Sequence, residues 1–180
     1  MILYHPNFIS DEQVLSVLNN LTVVPNDTAV PGGEYHNEWY SHTIVERAEL
    51  LEGNTDTSIL SKELYGKIKS LLDSFCLFNN ITYSSITRMC INVTKPSEDK
   101  YVAAMHVDHE FPHSLVIFYL NNSDGATVLS GTTEKDEEPE EFMRIPSHKG
   151  SILYMSDGGI FHTASPPTQN LRVVCVTTLT

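Results

Sequence analysis

Apolar positions follow a helical period in two stretches of the first 80 residues and a strand-like period thereafter. The first helix begins at Ser10-Asp11-Glu12-Gln13, a capping box in which the Ser10 hydroxyl accepts from the Gln13 amide and the Gln13 side chain reaches back. Ile9 and Val14 supply the hydrophobic staple. Val14, Leu15, Leu18 and Leu21 make the apolar stripe, and Pro25 stops further winding. A second helix is predicted from near Ser58 to Phe78. Leu60, Leu64, Ile68, Leu71, Leu72 and Phe75 recur at helical spacing there, and Gly66 weakens the run only modestly. Between the helices, Pro31-Gly32-Gly33 reads as a turn. Glu34 to Val45 reads as a strand or ordered loop, with Trp39 and Tyr40 as packing residues. The first 80 residues are therefore mostly helical by pattern.

Short β-rich segments follow, each bounded by turn chemistry. Eight are predicted, over about 83–94, 101–107, 114–120, 126–130, 142–146, 151–155, 160–164 and 171–179. The breaks between them include Lys95-Pro96-Ser97, Asn121-Asn122-Ser123-Asp124-Gly125 and Asp157-Gly158-Gly159. Regular short strands without intervening helices argue for a β-sandwich or barrel, with the helices packed outside in an α+β arrangement.

Composition narrows this further. The 180 residues fit one globular domain, spanning 1–180, with 1–80 as mostly helical support and 81–180 as the β core. Apolar residues make up 41% and charged residues 19%, enough for a packed core. The net charge of −12 repels phosphate backbones, so no nucleic-acid partner is expected. No apolar run approaches the ~18–20 residues of a membrane span. The start, Met1-Ile2-Leu3-Tyr4-His5-Pro6, lacks the basic and apolar regions of a signal peptide. Cys76, Cys90 and Cys175 are odd in number and scattered, so buried thiols in a reducing cytosol are expected rather than a disulfide framework or a cysteine zinc site. The run from Glu134 to Glu141 holds six acids and one Lys. It reads as a solvated loop, or alternatively as one that draws in a basic substrate or partner.

The candidate chemistry lies in the β half. His106 and Asp108 are two apart at the end of a predicted strand, so their side chains leave the same face. His109 faces the other way, and no chemistry is expected of His5, His36 or His42. His162 follows the turn Ser156-Asp157-Gly158-Gly159, which sets it at a sheet end. Two histidines and one carboxylate occupy one face of an octahedral ion and leave positions open, the donor set of non-haem Fe(II) oxygenases. Arg172 shares its strand face with Val174 and Val176, a lone cation on an apolar surface. Burying it without an anion would cost several kcal/mol, and a bound carboxylate is the economical partner.

These residues, His106-x-Asp108, His162 and Arg172, set in a C-terminal half of short strands, resemble those of the Fe(II)/2-oxoglutarate-dependent dioxygenases. The resemblance is to the prolyl 4-hydroxylase-like branch and its small phage and bacterial members. It is carried also by Val116-Ile117-Phe118-Tyr119-Leu120-Asn121, Asp124-Gly125-Ala126-Thr127-Val128, Gly150-Ser151-Ile152-Leu153-Tyr154 and His162-Thr163-Ala164-Ser165-Pro166-Pro167. It covers roughly residues 83–180.

The resemblance implies a double-stranded β-helix (jelly-roll, cupin-like) core with N-terminal helices outside. It implies Fe(II) held by His106, Asp108 and His162, with 2-oxoglutarate and O₂ as cosubstrates and ascorbate in support. It assigns the far carboxylate of 2-oxoglutarate to Arg172, with Tyr119, Asn92, Arg88 and Thr127 as further cosubstrate or substrate contacts. One departure is visible: Val176 stands where prolyl hydroxylases often carry a Thr. The implied activity is hydroxylation of an unactivated C–H bond, with a peptidyl proline as substrate. A free amino acid or small metabolite is the alternative, and a cupin-like metal-binding module without oxygenase activity is another. Arg172 and the missing second histidine of an HxH pair count against the module. A cytoplasmic location follows, in a host cytosol if the chain is phage-encoded.

Overall fold

The computed structural model describes residues 1–21, 24–25, 39–47, 59–99, 101–102, 104–131 and 140–180. Its elements are β1 (Ile2–His5), α1 (Asp11–Leu18), β2 (Val24–Pro25), β3 (Trp39–Val45), α2 (Lys62–Phe78), β4 (Ile86–Thr94), β5 (Ser114–Tyr119), β6 (Ser123–Ser130), β7 (Glu141–Ser147), β8 (Ile152–Met155), β9 (Phe161–Ser165) and β10 (Arg172–Leu179).

The capping box forms as the sequence requires. The Gln13 amide donates to Ser10 Oγ at 3.3 Å, and the Ser10 amide donates to Gln13 Oε1 at 2.9 Å. The helix ends at Leu18, short of Leu21 and Pro25. α2 begins at Lys62 rather than near Ser58. The reason is local competition: Ile59 bridges to Val45, and the Leu60 amide donates to Ile44 O at 2.8 Å, so this piece pairs with β3 instead of winding.

Ten strands build two antiparallel sheets among the described residues. The larger has the order β1-β8-β5-β10-β4-β3-β2, the smaller β7-β6-β9. The central strands of the larger sheet are buried on both faces, and their alternate residues go to two different cores. Val116, Phe118, Met89, Ile91 and Cys175 pack under α1 and α2 with Val14, Leu64, Ile68, Leu72 and Phe75. Leu115, Ile117, Tyr119, Cys90, Val174 and Val176 face the smaller sheet and meet its Leu129 and Ile145. Each fully buried large aliphatic side chain contributes about 1.5–3 kcal/mol, so the space between the sheets is a stiff frame for anything built into it. This is a double-stranded β-helix, a jelly roll, in an α+β protein with its helices outside the sandwich. No helix among the described residues is long and apolar enough to cross a membrane.

Three strand expectations differ from the structure. The first 80 residues supply β1 and β2 beyond the two helices and β3, which lies within the 34–45 segment read as a strand or ordered loop; β1 finds β8 as a main-chain partner far along the chain. Ser123-Asp124-Gly125, read as a turn, begins β6, with a register shift between Ser123 and Ala126. No regular strand forms over 101–107 among its described residues. The Val102 amide donates to Ala164 O and His106 bridges to His162, so four residues on one side oppose two on the other. Such a slip leaves residues unpaired and breaks the ladder. The turn at Pro31-Gly32-Gly33, residues 34–38 of the adjoining segment, and the acidic run at 134–141 apart from Glu140 and Glu141 lie outside the described residues.

Candidate functional site

His162 lies opposite Leu129 in the β9–β6 pairing, and Leu129 belongs to the core between the sheets, so the imidazole points into the sandwich. His106 is brought beside it by two main-chain bonds, His106 N to His162 O at 3.1 Å and His162 N to His106 O at 2.9 Å. The ring centroids are 4.9 Å apart. Each ring is oriented in the same way. Nδ1 of His106 lies 3.0 Å from Ala104 O, and Nδ1 of His162 lies 3.0 Å from Ile160 O. A carbonyl only accepts, so Nδ1 carries the proton and the lone pair of each ring is left at Nε2.

Asp108 completes the group. One ligand atom from each of His106, Asp108 and His162 lies within 4.8 Å of the other two. The Asp108 side chain is only 2% exposed, and its two oxygens have different surroundings. Oδ1 accepts from Arg88 Nη1, and from Arg47 Nη2 at 3.3 Å. Oδ2 is buried without a hydrogen-bond donor, 3.5 Å from His162 Nε2. Burial alone would raise this carboxyl. The Arg88 guanidinium on Oδ1, the largest opposing influence, holds the group well below the ordinary carboxylate value. A buried carboxylate oxygen beside two imidazole lone pairs, with no proton to share among them, fits a metal cation.

A second cluster surrounds Arg172, which is 3% exposed. Its Nε donates to Ser147 Oγ at 2.8 Å and its Nη2 to Thr127 Oγ1 at 2.7 Å. The Tyr119 hydroxyl meets the same Thr127 oxygen at 2.9 Å, and burial pushes the Tyr119 phenol up to about 12, so it remains a donor. Among the described residues no carboxylate lies within ion-pair distance of Arg172, and burial lowers its pKa from the ordinary value. An unpaired buried guanidinium is an anion site. Thr127 is two residues from Leu129 on the same face of β6, so this cluster lies ~7 Å along the strand from the row that holds His162.

Gly125 makes room for it. A Cβ there would lie 2.9 Å from Arg172 Cδ, 2.9 Å from Ser165 O and 3.0 Å from Pro167 N. Gly125→Ala is therefore expected to cost about 1–3 kcal/mol by overpacking, seen as a lower thermal midpoint. An unchanged midpoint would show that the Arg172 side chain gives way freely.

The structure thus gathers His106, Asp108 and His162 in one group and Arg172, Tyr119 and Thr127 in another. Arg88 stands with the first group, on Asp108, not with the second. Asn92 shares the inward face of β4 with Arg88 and Cys90, and its Oδ1 lies 3.6 Å from Cys90 Sγ. Val176 is buried in the core between the sheets. His109 turns away from the group, with Nε2 2.8 Å from Thr178 Oγ1. His5 packs against Phe8 and Phe75, His42 lies in β3, and His36 lies outside the described residues. Two residues escaped the sequence reading. Ser147 follows Ile145 by one strand repeat, so alternation alone would have placed it inward. Arg47 had no such signal, because it reaches Asp108 from beyond the end of β3, 61 residues away in sequence.

No family model and no curated protein matches the sequence. Solved structures do match the fold. An oxidoreductase of the 2OG-Fe(II) oxygenase family from Burkholderia pseudomallei is 16% identical, with a TM-score of 0.67 over 99% of this chain and 84% of that one. The viral collagen prolyl hydroxylase of Paramecium Bursaria Chlorella virus-1, solved with 2OG, is 13% identical, with a TM-score of 0.59 over 99% and 94% of the two chains. HygX from Streptomyces hygroscopicus, solved with nickel, 2-oxoglutarate and hygromycin B, is 12% identical, with a TM-score of 0.61 over 99% and 82%. These likenesses establish a shared double-stranded β-helix.

Proposed function

We propose that the protein is an Fe(II)- and 2-oxoglutarate-dependent oxygenase that hydroxylates an unactivated C–H bond, with a peptidyl proline as substrate. One observation carries the reading: the donor-free Oδ2 of Asp108 meets the buried imidazole of His162 and the exposed one of His106 at the rim of the sandwich that buries Arg172, a guanidinium with no carboxylate partner among the described residues. The shared fold supports it, and the likeness to a viral collagen prolyl hydroxylase supports the choice of substrate.

His106 Nε2, His162 Nε2 and Asp108 Oδ2 would hold the iron. When bound, iron would activate O₂, the oxidant, while 2-oxoglutarate gives up two electrons as it loses CO₂, so that one oxygen atom ends in succinate and the other in the substrate. The chain's own residues do the rest. The two Nδ1–H groups, tied to Ala104 and Ile160 carbonyls, keep both rings in the metal-binding tautomer. The Arg172 guanidinium would hold the far carboxylate of the diacid, with the hydroxyls of Thr127 and Tyr119 beside it. The apolar core between the sheets, including Leu129 and Ile117, excludes water. As a carboxylate ligand, Asp108 would leave no place for a halide in its stead, which favours hydroxylation over halogenation. The same reading assigns ascorbate the role of keeping the metal ferrous, and the cytosol as the compartment.

Anaerobic addition of Fe(II) and then 2-oxoglutarate is expected to produce a weak charge-transfer band at the red end of the visible spectrum. On admitting O₂, proline-containing peptides should release succinate and gain one oxygen atom by mass spectrometry. A metal-loaded protein without the band would refute the oxygenase reading. A band with turnover confined to free amino acids or small metabolites would instead move the substrate to that alternative.

A further inference from the structure

Asp108 is reached by two guanidiniums where one would balance its charge. Arg88 comes from the inward face of β4, with its side chain 14% exposed, and donates to Oδ1. Arg47 comes from beyond β3, with its side chain 35% exposed, and donates to the same Oδ1 through Nη2. Placing a second cation beside the first is electrostatically unfavourable, so charge balance does not explain Arg47.

A bond to the main chain shows what Arg47 adds at Asp108. Arg47 Nη1 donates to the main-chain carbonyl of Asp108 at 3.1 Å. The segment around Asp108 lacks a β ladder: β4 ends at Thr94, β5 begins at Ser114, and the bridge at His106 is the regular pairing seen between them among the described residues. Asp108 lies past that bridge. One planar guanidinium therefore fixes both the backbone and the carboxylate of a residue that no strand holds, a geometry that Lys cannot reproduce with a single ammonium.

We infer that Arg47 is a positioning residue that pins the main chain and carboxylate of Asp108, whose Oδ1 Arg88 already engages, so that Oδ2 is held towards the metal. The inference rests on the metal site proposed above. It makes the N-terminal part of the chain a component of the site.

The test uses Mn(II) as a spectroscopic probe, measured by electron paramagnetic resonance on wild-type protein, Arg47→Ala and Arg47→Lys. Arg47→Ala is expected to lose ~10–100-fold in Mn(II) affinity, the range typical when an outer-shell partner of a metal ligand is removed. Its bound Mn(II) line shape should also change as the carboxylate, still held by Arg88 but no longer pinned through the Asp108 main chain, reorients at the metal. Arg47→Lys, which keeps the charge and one donor, should recover only part of the affinity. Thermal melts of the metal-free proteins separate this from general damage, and Arg47→Lys carries the comparison if Arg47→Ala folds poorly. Wild-type affinity and line shape in both variants would overturn the inference while leaving the metal site standing. Failure of the wild-type protein to bind Mn(II) would overturn both.

Discussion

Arg172→Met is expected to raise the 2-oxoglutarate concentration needed for half the charge-transfer signal by roughly a hundredfold or more, while Mn(II) affinity stays within about twofold. Truncating one member of a buried, hydrogen-bonded charge pair costs about 2–5 kcal/mol, and each 1.4 kcal/mol is about tenfold in affinity. Met keeps most of the volume and removes the charge, so the sandwich does not have to collapse around a hole. The expectation for stability has the opposite sign. Without the diacid, Arg172 is 3% exposed and, among the described residues, has the Ser147 and Thr127 hydroxyls and the Tyr119 ring, but no anion, to offset its desolvation. Replacing it should leave the thermal midpoint of the diacid-free protein unchanged or higher, and should abolish the rise in midpoint that 2-oxoglutarate gives the wild type. An unaltered diacid response in Arg172→Met would remove Arg172 from the cosubstrate site.

Asp108→Asn should behave in the reverse way. Here the buried cation already has its anion, and the substitution takes the anion away. Arg88, with its side chain 14% exposed, would be left facing a neutral amide. Breaking such a pair costs about 3–5 kcal/mol, a fall on the order of 10 °C in the midpoint of the metal-free protein. Mn(II) binding should be lost as well, because an amide oxygen is a much poorer ligand than a carboxylate for this cation. The pH dependence follows from the sign of the shift. The Asp108 carboxyl in the folded protein lies well below its ordinary value of 3.8. Its contribution is therefore complete above that ordinary value and disappears as pH falls through the lowered one. The stability gap between wild type and Asp108→Asn should be full at neutral pH and close in strong acid. A gap that is absent at neutral pH would mean that Arg88 does not depend on Asp108.

The two clusters were legible to different degrees. Arg172 was readable because a lone cation in a run of apolar residues on the last strand has few physical reasons to exist. His106 and Asp108 were readable by residue type, yet strand alternation does not produce their convergence. The 101–107 segment slips against β9, and the pair is held instead by the bridge at His106 and by Arg47 on Asp108. Arg88 is read from the sequence as a cosubstrate or substrate contact; that its guanidinium ends on the Asp108 carboxylate depends on the reach of a long side chain, not on which face it leaves.

Local chemistry determined the parts that need only near neighbours. The capping box of α1, the stripe of α2 from Leu64 to Phe75, the alternation of β4, β5 and β10, and the identity of the donor atoms all follow from residues a few positions apart. Pairing partners, register and the reach of side chains between distant strands were decided only when the chain closed on itself. β1 joining β8, the slip beside β9, Ser147 under Arg172 and Arg47 over Asp108 each depend on a contact between segments whose relative placement no local pattern specifies. Periodicity states which face a residue occupies; the free energy that selects its neighbour is shared across the whole sandwich.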